Sequence, residues 1–432
     1  MKSLIFNQFS FNLKNINISI LPIFFLPISF ILGNAAVNFN LIFIVLIFFC
    51  RLVLEKNIKI LFDKKNFFIL FFFILIIIKD NIFFDEINWK SIFLLKYYLF
   101  YLSIIYFILN NPNLIINFSK FSLIILVLFC LDVAIQYNFG ENILGISSGS
   151  DYRFSGFMGD EWVAGSYISK FALLTILIFF NSKNNNLSIL FLLIFYFLMI
   201  LFTGERMALL NYIFTIILFI LFFYKKFFNL KKIIFLLTII PIVFILFFST
   251  LSENRQKLYT VDVLLKLKLA EKVKNFVNFS EKDKLIIEEE TIKKNTHLDL
   301  FISSIEIFKY NYFFGTGTNG FIDACNQYNK NQIKIHCENH SHNTYLTILS
   351  EQGIFIFIIF LIIIFKDIFL SLKINTNIDI HLIPFLILLT LINPISVSGD
   401  FFSTWTATFF WFIFAIYSGL IQLTKKKLNE KK

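Results

Sequence analysis

The chain has 432 residues, a formal net charge of +11 and 58% hydrophobic residues, with a mean hydropathy of +0.76. Soluble domains rarely pass half apolar, so a water-soluble globular enzyme is excluded. Apolar runs of about 17–22 residues recur along the whole length, each able to cross a bilayer as a helix. They do not alternate apolar with polar residues, which excludes a β-barrel. The positive charge gathers at segment ends, as in cytoplasmic loops, and does not call for a nucleic-acid partner.

The expected fold is therefore all-α: a polytopic membrane protein of about twelve transmembrane helices. The spans fall near 17–33, 37–53, 66–79, 92–109, 119–138, 163–181, 187–203, 206–224, 232–249, 343–365, 382–397 and 405–423. The first run lacks a small-residue cleavage site and reads as a retained span, not a signal peptide. The chain divides into 1–150 (spans one to five), 151–249 (spans six to nine), a long loop at 250–342, and 343–432 (spans ten to twelve).

Lysines set the orientation. Arg51, Lys56, Lys59, Lys64 and Lys65 follow span two, Lys225, Lys226, Lys231 and Lys232 follow span eight, and Lys425, Lys426, Lys427, Lys431 and Lys432 close the chain. With this span count all three groups share a side, which the positive-inside rule makes cytoplasmic. The other side receives the glycine-rich loop from Phe139 to Trp162, the turn Thr203-Gly204-Glu205-Arg206, the long loop and the Ser398-Gly399-Asp400 connection.

Departures from the lysine bias carry information. Of 39 basic residues only four are arginine: Arg51, Arg153, Arg206 and Arg255. Arginine grips phosphate with a planar fork that lysine cannot copy. Cys50 and Cys130 lie in spans and read as packing residues. Cys325 and Cys337 share the outward loop, where an oxidising compartment allows a disulfide; free or metal-binding thiols are the other reading. The turn Gly315-Thr316-Gly317-Thr318-Asn319-Gly320 has no preceding strand and no following Lys-Ser, so it is read as a backbone turn and not a nucleotide loop. Leu298 to Phe314, with Leu300, Phe301, Ile305 and Phe308, has an amphipathic pattern suited to the membrane interface. Lys96, Asp132, Lys170 and Glu351 fall inside spans toward their outward ends. They read either as structural ion pairs, Asp132 with Lys170 for example, or as a polar cavity opening outward.

The most polar stretch in an apolar context is His336-Cys337-Glu338-Asn339-His340-Ser341-His342-Asn343, which turns directly into span ten. Its histidine and cysteine spacing fits no standard zinc arrangement, so no metal is expected; the histidines could also simply rim a loop. With Arg153, Arg206, Arg255, Asp160, Glu161 and Glu205 on the same face, the inventory suits an anionic lipid headgroup. Arginine would hold a diphosphate leaving group, and a histidine could take a proton from an attacking hydroxyl.

These residues resemble the bacterial O-antigen ligase and O-antigen polymerase superfamily. His342-Asn343, nine residues and Gly353 match its histidine motif. Phe313-Phe314-Gly315-Thr316-Gly317 through Phe321 is similar to its glycine stretch, without the leading proline, and Arg206 stands at its arginine position. Arg153-Phe154-Ser155-Gly156-Phe157-Met158-Gly159-Asp160-Glu161 resembles a stretch in one branch. Ile356 stands where the motif continues with Gly, Thr or Tyr, and His297 holds the place of a second arginine.

The resemblance implies an inner-membrane, metal-independent inverting glycosyltransferase without a cofactor. It would move a glycan from a polyprenyl (undecaprenyl) diphosphate carrier to a sugar hydroxyl of lipid A-core on the periplasmic face. His342 would be catalytic; Arg206, Arg153 and His297 would bind the diphosphate; Asn343, Gly353, His340, Asp160 and Glu161 would support them. A polysaccharide polymerase, whose acceptor is a second carrier-linked glycan, is the alternative within the family. A lipid-linked sugar flippase or transporter is the alternative outside it, and would spread polar residues over several membrane depths.

Overall fold

The computed structural model describes residues 18–55, 64–82, 87–148, 153–179, 186–227, 297–330, 336–373, 381–394 and 396–429. The expected span 232–249, Arg255 and most of the 250–342 loop lie outside the described residues. In chain order the helices are α1 (Leu21–Leu32), α2 (Asn34–Glu55), α3 (Lys64–Ile82), α4 (Trp89–Phe93), α5 (Leu95–Asn110), α6 (Leu114–Phe139), α7 (Ala164–Ile176), α8 (Asn186–Thr203), α9 (Arg206–Phe227), α10 (His297–Tyr310), α11 (Phe321–Lys330), α12 (Thr344–Lys373), α13 (Leu382–Leu391) and α14 (Thr404–Asn429). Among the described residues there is no strand, only an isolated bridge between Glu141 and Ser147.

Six helices among these residues are long and apolar enough to cross a membrane: 34–55, 89–110, 114–139, 206–223, 344–366 and 404–425. The other expected spans within the described residues fall on helices that are shorter, such as 12-residue α1 with Pro27 inside it, or on α3, which carries Lys64, Lys65, Lys79 and Asp80. The surface explains why the bundle belongs in lipid. On α2, Val37, Leu41, Ile44, Phe48 and Leu52 are buried, while Phe39, Ile42, Phe43, Leu46 and Val53 are exposed at the same helical spacing. A helix apolar on both faces is not solvated by water.

At the centre stand α14 and α5, 78% and 67% buried along their apolar stretches, against 33% for α9. Trp411 of α14 packs on Phe72, Phe73 and Tyr101, and Phe414 stacks on Tyr101. Hydrogen bonds define two ends. At one, Arg51 donates to Ser19 at 3.2 Å and Lys65 donates to Ser418 at 2.8 Å. At the other, Trp405 donates to the Phe30 carbonyl and Asn38 donates to Thr404. The polar segments described below gather at this second end.

The loop after α6 is pinned to that helix by its last buried polar residues. Asp132 accepts from the Ile143 amide at 2.9 Å and Gln136 accepts from the Gly156 amide at 2.8 Å. The suggested Asp132–Lys170 ion pair is not formed. Asp132 is engaged with this loop, and Lys170 lies over the Trp405 ring, 4.1 Å from its centroid. On α10 the protein-facing and outward-facing residues separate. Leu300, Ser303, Ser304 and Ile307 are buried, while Leu298, Ile302 and Ile305 are exposed.

One break shapes the polar end. Within α12, Gly353 leaves the helical conformation at φ 75°, ψ 178°. The carbonyls of Ser350 and Glu351 accept instead from Thr316 and Gly317, both at 2.9 Å, and the Ile354 amide donates to Tyr312 at 3.0 Å. The glycine turn thus completes the broken helix. A Cβ on Gly353 would collide with the Phe313 carbonyl, and one on Gly315 with the Glu351 carbonyl. A left-handed conformation alone costs a non-glycine residue about 1–3 kcal/mol. Gly353→Ala is therefore expected to lower the thermal unfolding midpoint in detergent; an unchanged midpoint would contradict this account of the break.

Candidate active site

The site is built on the N-terminus of α12. Asn343 is its N-cap: the side-chain oxygen accepts from the Tyr345 and Leu346 amides at 3.0 and 3.2 Å, satisfying donors that a helix start leaves open. Its amide donates to the carbonyls of Pro394 and Ser396 at 2.8 and 3.3 Å. His342 precedes the cap with φ +54°, and its carbonyl accepts from the Ser398 amide at 2.8 Å. Helix start and 394–398 loop are thereby one unit. Asn211 of α9 donates to Ser396 at 2.8 Å, so α9 joins it too. Arg206 begins that helix five residues before Asn211, about 7.5 Å along the axis.

The histidines converge here. His342 lies 4.0 Å from His340 and 4.9 Å from His297, centroid to centroid. Its Nε2 is 3.0 Å from Oε2 of Glu338, and the other oxygen of Glu338 is 3.3 Å from His336 Nε2. Burial lowers the pKa of His342, and the neighbouring His340 lowers it further, while Glu338 opposes both. Burial also lowers His340, aided by His297. Lowered imidazoles are neutral at neutral pH and can accept a proton. Burial pushes Glu338 up, but its bonds to His336 and His342, with their charge, bring it below its ordinary value. A disulfide joins Cys325 of α11 to Cys337, with Cα atoms 5.7 Å apart, and fastens the histidine segment beside α11.

Arg206 is preceded by Glu205, which caps another helix. Glu205 accepts from the Gly165 amide at 2.5 Å and from the Ser166 amide and hydroxyl at 3.2 and 3.0 Å. That places its carboxylate at the N-terminus of α7, where the helix dipole favours negative charge. Burial raises its pKa to about 7, against those bonds and the charge of Arg153. Arg153 itself lies over Trp162, 5.6 Å from the ring centroid. Asp160 and Glu161 are exposed beside it.

A buried polar network underlies the glycine turn, and sequence reading missed half of it. Lys79 pairs with Asp80 at 2.8 Å and donates to the Glu351 carbonyl and the Gln352 side chain at 2.8 and 2.9 Å. Asp80 accepts from the Thr318 amide at 3.0 Å. Glu351 accepts from the Asn319 amide at 2.9 Å. Lys79 and Asp80 stand at the end of an apolar run and read as its boundary; the signal was a cation and a carboxylate side by side where lipid headgroups begin. Glu338 was seen only as part of the histidine stretch. Asp400, raised by burial against its bond from Phe402 and the charge of Lys90, carries no comparable signal.

The helices and this end of the bundle define a multi-span membrane protein with a histidine–carboxylate cluster beside an arginine-led helix. Residues 189–361 match the family model described as O-antigen ligase, a stretch running from α8 through the break in α12. The matched stretch is less than half of the chain, and over it the sequence is similar to the O-antigen ligase superfamily. No curated protein matches the chain.

Removing one partner of a buried ion pair leaves the other charge uncompensated, at a cost of about 3–5 kcal/mol. Lys79→Ala is therefore expected to lower the unfolding midpoint well beyond the change from Lys366→Ala, which removes a lysine outside this network. Equal midpoints for the two variants would contradict the network's structural weight.

Proposed function

We propose that the protein transfers a glycan from a polyprenyl (undecaprenyl) diphosphate carrier to a sugar hydroxyl of lipid A-core, at the periplasmic face of the inner membrane. The observation that carries this reading is the link from His342 through Asn343, Ser396 and Asn211 to the helix that Arg206 begins. A proton acceptor and a guanidinium then belong to one rigid end of the bundle. His342 accepts the proton of the acceptor hydroxyl. The hydroxyl oxygen attacks the anomeric carbon, the bond to the diphosphate oxygen breaks, and its electron pair leaves with the diphosphate. One displacement inverts the anomeric centre. Arg206, aided by Arg153 and His297, offsets the charge of the departing diphosphate.

Asn343 and Gly353 support this by fixing the two ends of the first α12 segment, His340 by packing on His342. Asp160 and Glu161 are exposed on the loop that carries Arg153 and would act through it. The polar groups gather at one end of the bundle, which favours transfer over transport. The same end lies opposite Lys65 and Arg51, and the positive-inside rule then makes it periplasmic.

Two experiments test this reading. With purified protein and lipid-linked glycan, His342→Ala should reduce transfer by about 100-fold or more. Arg206→Lys should also lose most activity because the fork is gone, and a chelator should change nothing. Wild-type-like transfer by His342→Ala, or loss on chelation, would overturn the mechanism. For orientation, a reporter fused at residue 280 should report the periplasm and one at the C-terminus the cytoplasm; the reverse result would overturn the sidedness.

A further inference from the structure

We propose that Glu338 is a positioning residue of this site: its carboxylate fixes the tautomer and ring plane of His342, so that Nδ1 is the atom that takes the acceptor proton. The inference rests on the reading that His342 is the proton acceptor.

A carboxylate only accepts hydrogen bonds. With Glu338 Oε2 at 3.0 Å from His342 Nε2, the neutral ring keeps its hydrogen on Nε2 and its lone pair on Nδ1. The carboxylate is held from behind, since its second oxygen meets His336. His336 is itself anchored, its amide donating to Ser303 at 3.0 Å, and Cys337 between His336 and Glu338 is tied into the disulfide. The histidine is held equally well: its carbonyl takes the Ser398 amide, the next residue caps α12, and its ring meets those of His340 and His297. The ring nevertheless stays 23% exposed, which leaves it an open side.

In the transfer step the acceptor O–H bond breaks and an N–H bond forms at Nδ1, while the oxygen's electron pair goes to the anomeric carbon. The imidazolium so formed already has a carboxylate on Nε2. The titratable groups facing His342 are Glu338 and His340 on its own segment and His297 from α10, with His336 behind Glu338. Asp400, on the loop that meets the His342 carbonyl, interacts with Glu351 and Lys90.

The test is the pH dependence of kcat/KM for purified Glu338→Gln and Glu338→Ala, with His342→Ala as reference. Glu338→Gln keeps the shape and loses the charge. The carboxylate raises the His342 pKa, so its loss lowers that pKa. A base works when unprotonated, so the acidic limb of the profile should move to lower pH, and the plateau should fall at least about 10-fold because the base is weaker. Glu338→Ala should fall further, with Glu338→Asp recovering part of the rate. A merely structural role would scale the whole profile without moving its acidic limb, and that result, or a wild-type profile for Glu338→Gln, would overturn the proposal. If His342→Ala itself remains active, the reading of His342 fails first. If His342→Ala is inactive while both Glu338 variants keep the wild-type limb, only the present inference fails.

Discussion

Everything at the polar end depends on one interrupted run of backbone hydrogen bonds. At Gly353 the α12 helix stops being a helix for a single residue, and carbonyls at Ser350 and Glu351 lose their usual partners. Inside a membrane an open carbonyl is costly, and non-helical backbone survives there only when other protein groups satisfy it. The amides of Thr316 and Gly317 do so. Two glycines make the approach possible, since side chains at Gly315 or Gly353 would collide with the opposite backbone. The result is a rigid platform: the first α12 segment, with His342 and Asn343 at its head, is fixed at both ends.

The platform rests on charge as well as backbone. Lys79, Asp80 and Glu351 are all nearly inaccessible, and each is engaged by several partners from different segments. Buried charges of this kind are tolerable only as a completed set. Because the members come from α3, the glycine turn and α12, the set also specifies register: the turn cannot slide along α12 without separating Thr318 from Asp80.

Much of the fold was legible because a bilayer imposes a length on any helix that crosses it. The runs at 34–55, 114–139 and 404–425 announce themselves by apolar length alone. The helices that carry polar residues were harder to delimit, and α3 was cut short at Lys79 for that reason. His342, Asn343 and Gly353 stood out by spacing, yet the role of Gly353 did not. Its partner is some forty residues earlier in the chain, and no local pattern reveals a contact of that range. The Asp132–Lys170 pair failed for the complementary reason. Opposite charges at similar membrane depth suggest each other, but Asp132 had closer partners in the loop that follows its own helix, and Lys170 had an aromatic face.

The central position of α14 bears on how the molecule is assembled. This helix is synthesised after α2, α3, α5 and α13, yet it is the one they surround. Until it inserts, Asn38 lacks Thr404, Lys65 lacks Ser418, and the aromatic rings of Phe72, Phe73 and Tyr101 face lipid in place of Trp411. Helices in a bilayer form individually before they associate. The earlier helices then wait in the membrane as a loose, incompletely satisfied ring, and the bundle locks around its axis once α14 has inserted.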